Sequence, residues 1–81
     1  CNTYGDFSWT PVPGADGYEI SMNNVPLGGC VVDASAVING QTDHGRVQDG
    51  WLCLGSSYDV SIRARANGSW GPWSGSIRVT L

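Results

Sequence analysis

An all-β fold, a small antiparallel sandwich, is what this 81-residue chain predicts, and three observations carry that reading. Tyr58, Val60, Ile62 and Ala64 recur at every second position with Asp59, Ser61, Arg63 and Arg65 between them, the pattern of a strand with one face on a core and one in water. Other short segments of the same period are divided by turn signals, among them Pro11 to Gly17, Asn39-Gly40 and Asn67-Gly68. No stretch has a helical period, and there is no internal repeat. Several short strands with turns between them fold as a sandwich because each has one apolar face to bury.

Taken in order, the chain justifies each element. Phe7 and Trp9 stand two apart within Asp6 to Thr10, which predicts a short strand whose tryptophan reaches mid-core. Two prolines and two glycines between Pro11 and Gly17 then demand a turn. Tyr18, Ile20 and Met22 alternate with Glu19, Ser21 and Asn23 as a second strand. Cys30-Val31-Val32 after Gly28-Gly29 predicts a short edge strand, and Ala36-Val37-Ile38 another, stopped by Asn39-Gly40. Gln41 to Gly50 is polar and reads as a loop, and Trp51 to Ser57 leads into the strand from Tyr58 to Arg65.

Asn67-Gly68 suits the two positive φ angles of a type I′ turn, and a return strand ends in Ile77, Val79 and Leu81. With Ala66 opposite Ser69, simple pairing sets Ala64 against Gly71, Ile62 against Trp73 and Tyr58 against Ile77, so that the inward faces coincide. The expected core comprises Trp9, Tyr18, Ile20, Leu52, Val60 and Ile62, with the rings of Trp9, Tyr18 and Tyr58 side by side.

Composition narrows the function classes. A chain of this size makes one thin domain, burying only ~60–65% of its unfolded surface, so a covalent cross-link is expected to help hold it. Seven acids face four arginines and no lysine, which argues against a nucleic-acid partner, since phosphate backbones need clustered positive charge. No apolar run is long enough for a transmembrane segment.

The three cysteines, Cys1, Cys30 and Cys53, lack the close pairing of a zinc or redox site. They fit an oxidising compartment, extracellular or at the cell surface, where one disulfide adds ~2–4 kcal/mol; three reduced thiols in a cytosolic chain are the alternative. His44 beside Asp43 in a polar stretch, with no nucleophile placed by any motif, reads as a solvated pair and not as catalytic machinery. The scattered Asp16, Asp33, Asp43, Asp49 and Asp59 have no calcium-loop spacing, and no phosphate-cradling loop appears, so neither a metal nor a cofactor is expected.

Across nearly the whole chain the motifs resemble those of a fibronectin type III domain. The run from Phe7 through Trp9 to Ile20 resembles the second and third strands of that family, with Trp9 and Tyr18 in place. Leu52-Cys53-Leu54-Gly55-Ser56-Ser57-Tyr58 is similar to its "Leu-x-Pro-Gly-Thr-x-Tyr" approach to strand F, with Leu54 where proline is usual. The resemblance implies a fibronectin type III-like antiparallel β-sandwich in which Tyr58 is the tyrosine of a tyrosine corner, bonding backbone upstream. Only eight residues precede Trp9, so strand A is reduced to Cys1-Asn2-Thr3-Tyr4 or missing, which leaves strand B with an open edge.

On the resembled fold all three cysteines fall toward one pole. Cys30 with Cys53 is the preferred disulfide, and Cys1 with Cys53 the alternative. Cys1 as the remaining thiol has three readings: the lipid-anchored end of a bacterial lipoprotein, a bond to another chain, or a boundary cut within a longer protein.

Trp70-Gly71-Pro72-Trp73-Ser74 resembles the "Trp-Ser-x-Trp-Ser" element of cytokine-receptor modules, with Gly71 for the first serine. That resemblance implies a ladder in which Trp70 and Trp73 lie on the outer face between Arg63 and Arg65. Strand parity agrees for Trp70 but sends Trp73 into the core, and only a bulge near Gly71-Pro72 brings both to one ladder. Such a ladder reads first as stiffening for the sandwich and second as a binding surface. Asn67-Gly68-Ser69 fits an N-glycosylation acceptor, although the turn alone explains Asn-Gly.

The expected function is that of a non-catalytic binding or spacing module that presents its loops to a protein partner or a neighbouring module. The alternative is a self-associating subunit of a filament or virion surface that pairs through the open edge.

Overall fold

The computed structural model describes residues 3–25, 33–49 and 52–81, which form strands and no helix. In chain order these are β1 (Thr3–Ser8), β2 (Gly17–Asn24), β3 (Ala34–Asn39), β4 (His44–Asp49), β5 (Ser57–Ala66), β6 (Ser69–Trp70) and β7 (Ile77–Thr80). They build two antiparallel sheets, one pairing β1 with β4, the other ordered β3-β2-β5, with β6 and β7 both on the far side of β5. The fold is the all-β sandwich that the alternating segments predict.

Register explains the interior. Tyr18, Ile20 and Met22 of β2 face Ala64, Ile62 and Val60 of β5 on one side and Ile38, Ala36 and Ala34 of β3 on the other. One face of the larger sheet is therefore three apolar rungs deep. Val47 of β4 and Leu52 close the interior from the opposite side and are fully buried, while Phe7 and Trp9 pack against the cluster partly exposed.

Four expectations need correction. Gln41 to Gly50 is not all loop, because His44–Asp49 is a strand that pairs with the whole of β1. Its inward positions are Gly45 and Val47, which give no apolar run. A Cβ on Gly45 would stand 2.9 Å from Ile38 Cδ1 and 3.1 Å from Trp9 Cη2, so packing itself selects the residue that hides the strand. Of the two expectations for the first strand, missing or reduced to Cys1 to Tyr4, the reduced one is set aside, because Thr3 and Tyr4 open β1, which ends at Ser8, before Trp9.

The return strand is broken. Ala66 does face Ser69, but Tyr58 faces Val79 and Val60 faces Ile77, a slip of two residues from the simple register. The stretch from Gly71 to Ser76 absorbs it, with Ser74 N–H donating to Ile62 O at 2.8 Å where Trp73 was expected. Lastly, Tyr58 is fully buried but sits opposite Asn24, six residues or ~20 Å along β2 from Tyr18. Trp9 and Tyr18 pack against each other at a 48° tilt with centroids 5.1 Å apart at one end of the interior, and Tyr58 fills the other.

Candidate functional site

On the outer face of the larger sheet, Arg63 and Arg65 stand two apart on β5 and so share one side. Glu19 is directly opposite Arg63 on β2, and its Oε1 accepts from Nε at 2.7 Å and lies 2.6 Å from Nη2. The Arg63 guanidinium carbon is 4.7 Å from the ring centre of Trp70 and 4.5 Å from that of Trp73, and Arg65 is 5.3 Å from Trp70. All three distances fall within cation–π range, at ~0.5–1 kcal/mol for an exposed contact and more where water is excluded.

The slip at Gly71 to Ser76 is what lets both indoles reach one arginine. Trp70 is carried outward by its pairing with Arg65, and the irregular stretch after it turns Trp73 to the same side instead of into the core. Arg65 is held in turn by Asp16 Oδ1, accepting from Nε at 2.7 Å, and by Asn39 Oδ1, accepting from Nη2 at 3.0 Å. Glu19, Asp16 and Asn39 were not found from the sequence, because their places opposite the arginines depend on the register of β2 against β5 and β3.

Beside this ladder lies the open side of the sandwich. β1 has β4 as its one neighbour among the described residues, and a trough separates it from the β6–β7 stretch. One end is a cleft of about 620 Å³ lined by Trp9, Val12, Tyr18, Trp70, Pro72 and Trp73 among others. It continues past the shared Trp9, Ile62 and Ser74 into a second cleft of about 220 Å³ between Phe7, Ile20, Val60 and Ile77. Ile77 faces Val60 yet is 64% exposed, since none of the described strands covers it. The trough, too, was not anticipated as a site.

The loops at the Trp9 end are bonded together. Trp9 Nε1 donates to Thr42 O at 2.9 Å, Tyr18 accepts from Val12 N–H at 2.8 Å and donates its hydroxyl to Gln41 Oε1, and Gln41 Nε2 donates to Val12 O at 2.7 Å. At the other end, the Tyr58 hydroxyl accepts from Cys53 N–H at 3.3 Å, the upstream backbone bond that the resemblance implies. Cys53 is disulfide-bonded. The other two cysteines, Cys1 and Cys30, lie outside the described residues, as does the edge strand expected at Cys30 to Val32.

His44 and Asp43 meet at 2.8 Å with side chains 77% and 66% exposed, and that contact holds the Asp43 carboxyl below the usual carboxylate range. Asn67 and Gly68 have φ of 52° and 77°, and both sit exposed at the β5–β6 turn. Arg46 stacks on Tyr4 at 3.8 Å and donates from Nε to Asp6 at 2.7 Å on the outer face of the smaller sheet. The Asp6 carboxyl is lowered by that hydrogen bond.

Among the described residues no three His, Cys, Asp or Glu side chains gather as a metal site, and no helix is long and apolar enough to cross a membrane. Comparison with family models, with curated proteins and with solved structures finds no match.

Proposed function

We propose that this chain is a non-catalytic, fibronectin type III-like binding or spacing module of an extracellular or cell-surface protein. The placement of β1 with β4 in one sheet, and of β2, β5 and the β6–β7 return in the other, supports the likeness, because sandwiches of this kind divide their second and third strands between sheets and set the third beside strand F. The disulfide at Cys53 supports an oxidising compartment; Cys30 is its preferred partner.

The observation that carries the binding role is the apolar trough, whose larger cleft has the size and aromatic lining of a ligand site. The Trp70–Arg63–Trp73 ladder beside it keeps the rim rigid, so the surface is formed before a partner arrives. A photo-reactive phenylalanine analogue at the exposed Ile77 tests the role in the protein's native setting. Saturable cross-linking to one defined chain is the expected result, and cross-linking to no chain removes the binding role and leaves a spacer.

Self-assembly is the second reading, favoured by the edge of β1 that no described strand pairs. A sedimentation coefficient independent of concentration would overturn it.

A further inference from the structure

We infer that the trough takes an extended strand of a separate chain, apolar at every second residue, which adds to the edge of β1 that no described strand pairs. The inference deepens the binding-module reading and rests on it.

The backbone of β1 specifies the shape of the occupant. Trp9 N–H donates to Asp43 O at 2.8 Å, one step beyond the Ser8–His44 pair, so by alternation the odd-numbered residues of β1 turn their amide groups toward β4. By alternation the N–H and C=O groups of Tyr4, Asp6 and Ser8 point the other way, over the trough. Three donors and three acceptors in a row at strand spacing are complementary to another strand and to little else.

The side chains specify its pattern. Residues opposite each other in a sheet share a face, so occupant positions opposite Gly5, Phe7 and Trp9 turn inward, toward Ile20, Val60, Ile62 and Ile77. The place of a side chain at Gly5 is taken by the ring of Phe7, whose Cε2 stands 2.8 Å from where a Cβ would go, so the occupant residue across from Gly5 meets that ring.

Among the described residues no charged side chain lines the inner cleft, and the four arginines are already paired, Arg46 with Asp6, Arg63 with Glu19, Arg65 with Asp16 and Arg78 with Asp59. The occupant's inward positions are therefore uncharged. A second copy fits this less well, because its own edge would offer Phe7 and Trp9 as bulky inward residues, and both are already packed against the interior of their own chain.

The test uses an array of end-capped octapeptides with Val, Ile, Leu or Phe permuted at positions 2, 4 and 6 and Ser or Thr elsewhere. Isomers with the apolar residues made consecutive are the controls. Members of the alternating set are expected to bind, to outcompete their isomers, and to slow hydrogen exchange at the amides of Tyr4, Asp6 and Ser8 while those of Arg78 and Thr80 are unchanged. Ser8→Pro, which deletes one edge donor at a position where an edge strand tolerates proline, and Ile77→Ser should each weaken binding roughly tenfold or more.

Both variants should keep the Trp9 indole shift of the folded protein, and either one suffices if the other does not fold. Binding without protection of the three amides overturns the strand and leaves the module reading intact. No binding by any member overturns the strand assignment and removes the trough as the basis of that reading. Protection of the same amides by the protein alone at high concentration overturns the separate chain in favour of a second copy.

Discussion

The guanidinium of Arg65 covers Gly17. A Cβ there would stand 2.7 Å from Nη2, 2.9 Å from Cζ and 3.2 Å from Nε, so the side chain of Arg65 occupies the space that any other residue at position 17 would need. Gly17→Ala should push that flexible side chain aside and weaken its ties to Asp16 and Trp70, at about 1 kcal/mol or less. Gly45→Ala meets packed carbon of Ile38 and Trp9 instead, and overpacking of that kind costs about 1–3 kcal/mol. Urea denaturation of the two variants should rank them in that order.

Arg63 bridges two indoles and a carboxylate whose side chain is only 19% exposed. Arg63→Lys keeps the charge but not the planar face, so it should lose most of the stacking energy, about 1–2 kcal/mol over the two rings. A double-mutant cycle of Arg63→Ala with Trp73→Ala should return a coupling of about 0.5–1 kcal/mol. A coupling near zero would show the stack to be energetically silent.

Tyr58→Phe leaves the buried ring in place and removes the hydroxyl that accepts from Cys53 N–H. Thermal unfolding should register a loss of about 0.5–1.5 kcal/mol, with the disulfide at Cys53 intact on mass mapping.

The Asp6 carboxyl, lowered by its bond from Arg46, stabilises the fold at pH values above its unfolded pKa, and that contribution is lost as pH falls through its folded value. Arg46→Gln should bring the Asp6 titration, read on its carboxyl carbon, up toward the ordinary aspartate range near 3.9. The stabilities of the two proteins should draw closer as pH falls past that region, because a protonated Asp6 no longer favours an arginine over a glutamine. Both side chains are exposed, so the effect is small.

Strands β2 and β5 were legible because each buries every second residue, and their alternation is the mark of that burial. β4 was not, since the interior beneath Trp9 and Ile38 has room for no side chain at position 45, and a glycine in a polar run looks like a loop. The two-residue slip after β6 was invisible for a different reason. An even offset leaves Ile77, Val79 and Leu81 on the same face in either register, so periodicity cannot tell them apart. The outward turn of Trp73 follows from that slip, and the tryptophan–arginine set was therefore visible only through a resemblance. The trough corresponds to no motif, because it lies along an edge of β1 that none of the described strands pairs.

The irregular link between β6 and β7 also makes this scaffold hospitable to engineering. Gly75 and Ser76 are exposed, nothing stands within 4 Å of where a Cβ on Gly75 would go, and the anchoring bonds of Ser74 lie just upstream. A foreign loop grafted between Gly75 and Ser76 would stand at the rim of the inner cleft, which Gly75 lines, with the ladders on either side of it undisturbed.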